Sequence, residues 1–282
     1  LEAGICLHLT SKELAERAPA QSEPEILNSA LTHLLLELTQ WGCRDITQLA
    51  WLDLPPAPAI SAAQHLLTSL GILDDARGLT SLGRRVASMG VEPRLGVILA
   101  RAHSADEQAT AARLVAMIEE PPRNGDISLG ALFDRRLPQW EKRSQQLCRR
   151  MDWHNDQTDI RLAAGLLATA FADRIARRRG QGGRYLLANG MGAMVDQEHP
   201  LNRHEWILAL SLLQGNNSPD ARILLALPLD IDALLAESST LLQVRDSVEW
   251  HDAQGTLRAV RRWQIGELVV RSQPLAKPPQ NV

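Results

Sequence analysis

Cysteine is scarce in this chain of 282 residues: Cys6, Cys43 and Cys148 are odd in number, far apart and without any Cys-x-x-Cys pairing. Neither a disulfide framework nor a cysteine zinc site is expected, and the natural compartment is a reducing, cytoplasmic one. Long apolar runs are missing too. No uninterrupted stretch approaches the roughly 20 residues that a membrane-spanning helix needs, and no basic segment leads into an apolar one at the N-terminus. There is no GxxxxGK[ST] phosphate loop, so no residue is expected to hold a nucleotide in that way and no catalytic residue, cofactor or metal is expected in the chain. The chain begins at Leu1 without a methionine and closes on QPLAKPPQNV, a linker-like composition, so both ends read as cuts through something longer.

What is present is a body 45% hydrophobic, enough for real cores in two or three domains. The net charge of −3 indicates no particular partner, but its distribution does. Arg135 to Arg184 holds twelve Lys/Arg against five Asp/Glu, while the remainder holds 18 against 28. A basic zone on an acidic body is the footprint of a polyanion held at one place. Four arginines, Arg174, Arg177, Arg178 and Arg179, precede a loop rich in glycine (Gly180, Gly182, Gly183), and Arg184 follows it.

In chain order, Gly4 to Leu9 reads as one strand of a sheet, with Cys6 and His8 as ordinary strand residues rather than metal ligands. Ser22 and Glu25 have capping-box spacing before a helix from Ile26 to Trp41, stopped by Gly42. Short helices over Ile46–Leu52 and Ile60–Leu70 and a small hairpin over Ile72–Thr80 complete a winged-helix pattern. Its third helix carries no Lys or Arg, and from Ala20 to Gly90 there are four Arg against seven Asp/Glu, which disfavours a duplex reader. From Glu92 the pattern is helical: Pro93 opens one helix and Ser104 with Glu107 boxes the next. Glu119 and Glu120 lie at a helix end beside Pro121 and Pro122 and read as exposed, not as an acid/base pair. On the helix Pro138–Asp152, Lys142, Arg143, Arg149 and Arg150 fall with Gln146 within about 120° of one another, beside an apolar stripe of Trp140, Leu147 and Met151. The acids of residues 152–159, Asp156 among them, fit no calcium-loop spacing. A helix from Ile160 to about Arg178 follows, with its arginines complementing the dipole. Beyond Tyr185 the period becomes strand-like, with Asn189-Gly190 as a hairpin signal, strands over 206–213, 221–227, 241–250, 257–263 and 267–272, and a short helix at 231–236. The last strands carry Arg258, Arg261, Arg262 and Trp263, a mixture that suits single-stranded nucleic acid and equally an ordinary charged strand surface.

The expected architecture is therefore multi-domain, mainly α followed by β: a winged helix, a helical ratchet-like bundle, then a small OB-like β-barrel or sandwich. The order of pieces resembles the central part of bacterial DEAH-box ATP-dependent RNA helicases of the HrpB type. Leu1–Leu9 is similar to the segment that closes their second RecA-like domain. Ser22-Glu23-Pro24-Glu25-Ile26 with Leu79–Ala87 is similar to their winged helix, and Glu92-Pro93-Arg94-Leu95 to the entry of their helical domain. Phe171–Ala176 with Tyr185 and Asn189-Gly190 is similar to the junction into their β domain. The resemblance implies a division at 1–19, 20–90, 91–183 and 184–282, ATP and Mg on RecA-like domains outside this chain, and single-stranded RNA guided along the accessory domains. Charge placement, rather than a family motif, makes Lys142, Arg143, Arg149, Arg150, Arg174, Arg177, Arg178, Arg179 and Arg184 the candidates for contact. A winged-helix DNA-binding regulator and a protein-interaction scaffold are the alternatives.

Overall fold

The computed structural model describes all residues except 1–3, 6, 8, 18–20, 22, 122–125, 156, 216–217, 252–255 and 276–282. Cys6, His8, the Ser22 cap, Pro122 and Asp156 thus lie outside the described residues. Gly4, Ile5, Leu7 and Leu9 form no strand; the three apolar side chains are exposed. A single strand without partners leaves its backbone groups unpaired and has nothing to pack on. Helix α1 (Lys12–Arg17) likewise buries nothing.

The helix expected from Ile26 to Trp41 is broken in two, a 3-10 turn at Glu25–Leu27 and α2 (Thr32–Gln40). Ser29 Oγ bonds back to the Glu25 carbonyl and Asn28 Nδ2 to Glu23, local bonds that compete with helix continuation. Gly42, at φ 91°, ends α2 as expected. The second expected helix shrinks to a 3-10 turn, Ile46–Gln48, capped by Asp45. Helix α3 (Ala57–Ser69) follows Pro56, and the expected hairpin reduces to one antiparallel bridge, Leu73 with Leu79. Helix α4 (Ser81–Met89), capped by Thr80 Oγ1 on the Gly83 amide, closes this part.

Helix α5 (Pro93–Arg101) is the centre of the helical region. Glu92 accepts from the Arg94 and Leu95 amides, and every residue from Pro93 to Ala100 is buried. It packs on α4 and on α6 (Ala105–Glu119), whose Ser104/Glu107 capping box forms as expected. Helix α7 (Leu129–Phe133) leads to α8 (Pro138–Met151), which packs on α6 through Trp140 and Leu147. Glu119, at the end of α6, is bound by Arg143 rather than placed for proton transfer.

Helix α9 (Ala163–Phe171) ends earlier than its pattern suggests. A 3-10 turn at Ala172–Arg174 intervenes, and Ile175–Arg178 is strand β1. Ile175 and Ala176 are fully buried between neighbouring strands, so tertiary pairing overrides the helical period. Arg177 and Arg178 therefore do not complement a helix dipole. Strands β2 (Arg184–Leu187), β3 (Gly192–Met194), β4 (Trp206–Leu213) and β5 (Asp220–Pro228) close a barrel with β1 in the order β1-β2-β3-β5-β4. Among the described barrel strands, only the β3–β5 pair is parallel. The Asn189-Gly190 turn joins β2 and β3, with Gly190 at φ 85°. The barrel begins at Ile175, ahead of residue 184. Its interior is filled by Ala176, Tyr185, Leu187, Ala193, Ile207 and Ile223, with the Tyr185 hydroxyl 2.8 Å from the Leu201 carbonyl.

After α10 (Ile231–Glu237), strands β6 (Gln243–His251), β7 (Thr256–Ile265) and β8 (Leu268–Pro274) form a separate antiparallel sheet rather than extending the barrel. The helical-then-β order is as the sequence indicates. Among the described residues, no helix is long and apolar enough to cross a membrane.

Candidate nucleic-acid interface

The loop from Arg179 to Gly183 joins β1 to β2 at one rim of the barrel. Gly180, Gly182 and Gly183 all take positive φ, and at Gly183 a Cβ would overlap the Val195 carbonyl, so this tight path requires glycine. The path returns Arg179 beside the start of β5. There Asp220, with its side chain 8% exposed, accepts from Arg179 Nη2 at 2.7 Å and lies 3.8 Å from Arg184 Nε. One buried carboxylate thus orients two arginines that stay about half-exposed or more, leaving the rim with surplus positive charge.

The strand register extends that rim into a face. Arg184 pairs with Met194, Met194 with Arg222, and Arg222 with Leu213, so four exposed side chains cross β2, β3, β5 and β4 in one row. Two cations alternating with two apolar side chains suit a phosphate chain and its bases. Arg222 was not among the expected contacts. Its signal was the alternation of β5, where it faces out between buried Ala221 and Ile223, and it fell outside the basic zone.

The other candidates are distributed differently. Arg174 is half-buried, donates to the Leu210 carbonyl at 2.9 Å and lies 5.4 Å from the centre of the Phe171 ring; desolvation, then the charge of Arg94, pulls its pKa down. Arg177 binds Glu205 and the Val269 carbonyl of β8, tying the sheet to the barrel. Arg178 donates to the Asn202 carbonyl. On α8, Arg143 is paired in a fork with Glu119, and Arg150 reaches the Ser88 carbonyl at 3.3 Å. Lys142 is exposed. Arg149 opens into a groove of about 940 Å³ between α6, α8 and the loop after α8. Arg136, Arg161, Trp153 and His154 line it, but so do Asp106, Asp134, Glu141 and Asp159, so its charges nearly balance. The α8 set and the rim set share no hydrogen bond or ion pair among the described residues. On β7, Arg261 and Arg262 are paired with Asp246 and Glu249, so their charge is largely answered within the sheet.

Comparisons with known proteins find relatives of one kind. The chain is 57% identical over 281 residues to the ATP-dependent RNA helicase HrpB of Escherichia coli (strain K12), covering all of this chain and 35% of that relative. It matches a crystal structure of E. coli DExH-box NTPase HrpB with a TM-score of 0.87 at 57% identity, over 99% of this chain and 34% of that one. The family model for the connector region of HrpB matches residues 241–275, which contain β6, β7 and β8. More distant is the pre-mRNA-splicing factor ATP-dependent RNA helicase prp22 of Schizosaccharomyces pombe, 34% identical over 98 residues, 35% of this chain and 8% of that relative. The resemblance to bacterial DEAH-box helicases of the HrpB type therefore runs the length of the chain, which spans about a third of the relative it matches end to end.

Proposed function

We propose that this chain is the accessory region of a cytoplasmic ATP-dependent RNA helicase, in which it holds and guides single-stranded RNA while RecA-like domains bind ATP and Mg and supply hydrolysis. In this reading residues 20–90 are a winged helix serving as a packing module and the helices from Pro93 form a ratchet-like bundle. The barrel is OB-like: five strands in the order β1-β2-β3-β5-β4 with β3 parallel to β5. The rim loops and the β2–β3 face of such barrels bind oligonucleotides.

The observation that carries the reading is the row Arg184, Met194, Arg222 and Leu213 beside the Arg179 loop. It offers cations for phosphates and apolar surface for bases, without any catalytic group. The side chains of Arg179, Arg184, Lys142 and Arg149 are exposed and bond to no backbone carbonyl among the described residues, and they are the candidates we assign to contact; Arg143, Arg150, Arg174, Arg177 and Arg178 hold elements together along the same path.

The test is a fluorescence anisotropy titration of a single-stranded RNA oligomer at several salt concentrations. Arg184→Glu with Arg222→Glu should weaken binding at least tenfold and flatten the salt dependence, since each lost phosphate contact removes about 0.7 from the log–log slope. Unchanged affinity and slope would exclude the barrel face.

A further inference from the structure

A second concentration of positive charge stands where the composition argues against one. Residues 20–90 hold four arginines against seven acids, yet three of those four, Arg44, Arg77 and Arg84, line a single pocket of about 430 Å³ with Thr39, Gln40, Gly42 and Gly78. No Asp or Glu lines it. The 940 Å³ groove, by contrast, holds four acids.

The arginines are not occupied by the fold. The end of α2 is closed by its own backbone, with the Trp41, Gly42 and Cys43 amides bonded to the carbonyls of Glu37, Thr39 and Leu38. Arg84 gives one donor to the Leu79 carbonyl at 2.8 Å and keeps the rest, while the side chains of Arg44 and Arg77 make no hydrogen bond or ion pair at contact distance among the described residues. Asp45 is engaged with the Thr47 amide and hydroxyl and with Gln48, and the charge of Arg77 adds only the smallest contribution to its lowered pKa. The bridge turn from Leu73 to Leu79 brings Arg77, at φ 61°, beside the pocket.

An independent observation lies next to it. Trp41, between the lining residues Gln40 and Gly42 in sequence, is 87% exposed, a large aromatic surface that none of the described residues covers. An exposed indole beside guanidinium groups with spare donors is the combination that binds a nucleotide, stacking for the base and forked donors for the phosphate.

We propose that Trp41, Arg44, Arg77 and Arg84 form a nucleotide-binding site: the arginine pocket receives a phosphate and Trp41 stacks on the attached base. The site is remote in sequence from the barrel rim and does not depend on the reading given for it. The nucleotide is either a unit of a single strand or free.

The experiment titrates the 282-residue chain with a labelled single-stranded RNA decamer by anisotropy, and with AMP and inorganic phosphate as competitors. Arg44→Gln with Arg77→Asn should weaken the decamer about tenfold and reduce the magnitude of its salt slope by about 1.4, two contacts at about 0.7 each. Trp41→Ala should weaken it about tenfold and leave the slope unchanged, because stacking releases no counterions. All three residues are exposed, so circular dichroism melts should match the parent chain. AMP that displaces the decamer at similar concentration identifies a free-nucleotide site, and AMP that fails to do so identifies a site for a strand; inorganic phosphate competing as well as AMP would overturn the role of Trp41. Arg184→Glu with Arg222→Glu should leave the Trp41 effect intact, which separates failure of this site from failure of the rim. Affinity and slope unaltered in both pocket variants overturn the proposal.

Discussion

Arg94 and Asp173 form a two-pronged ion pair, Nη1 to Oδ1 at 2.7 Å and Nη2 to Oδ2 at 2.8 Å, joining central helix α5 to the turn where helix gives way to barrel. Arg94 also donates to the Ala170 carbonyl at 2.5 Å and lies 5.1 Å from the centre of the Phe171 ring. The guanidinium is 8% exposed and its carboxylate partner 36%, so the pair is buried on one side only. Lysine has one point charge in place of this fork. Arg94→Lys should therefore cost about 2–3 kcal/mol, below the full value for breaking a buried pair because Asp173 regains water. Urea unfolding followed by far-ultraviolet circular dichroism measures it.

Asp220 restrains the rim as well as shaping it. Its carboxylate holds Arg179 at 2.7 Å, and a Cβ on Gly192 would overlap it, so the group is closely packed. Asp220→Asn keeps the size and removes the counter-charge. Single-stranded RNA should then bind several-fold more tightly with a steeper salt dependence, since released arginines displace more counterions. Weaker binding would instead mean that the arginines need Asp220 for their orientation.

The sequence made the later barrel strands legible as short apolar runs between turn signals, and the limits of β4 match the expected 206–213. It misread β1. Arg177-Arg178-Arg179 follows an apolar helix without any breaker, and only the long-range pairing of Ala176 with Leu187 and Ile207 makes that segment a strand. The same nonlocality hid the candidate contacts. Arg143 and Arg149 share a helix face, yet Glu119 of another helix neutralises one and leaves the other open to a groove. Arg44, Arg77 and Arg84 look unrelated along the chain because a bridge and a helix end bring them together.

Tyr185 is fully buried, with its hydroxyl 2.8 Å from the Leu201 carbonyl and 2.9 Å from that of His204. Burial raises its pKa, so it is the protonated hydroxyl that serves these carbonyls. Tyr185→Phe removes the donor and leaves a buried acceptor without it, at a cost of about 1–2 kcal/mol. Thermal unfolding should register the loss, while the affinity for single-stranded RNA stays as in the parent chain because no rim side chain changes.

Glu92 and Glu107 both cap helices, and their response to pH should have opposite sign. Glu107 accepts from the Ser104 and His103 amides, which pull its pKa below the ordinary 4.5; its contribution is present above pH 4.5 and is lost as pH falls through the lower folded value. Glu92 is desolvated, which outweighs its bonds to Arg94 and Leu95 and raises its pKa above 4.5. Its native state holds the proton more tightly than the unfolded chain. That contribution is present below pH 4.5 and fades as pH rises through the folded value. Melting temperatures between pH 3 and 8 should separate the two: Glu107→Gln flattens the acid limb and lowers stability at pH 7 by about 0.5 kcal/mol. Glu92→Gln keeps an acceptor oxygen without the desolvated charge, so its stability relative to the parent chain should improve from pH 4 to pH 7. Parallel acid limbs in both variants would show that neither cap titrates with folding.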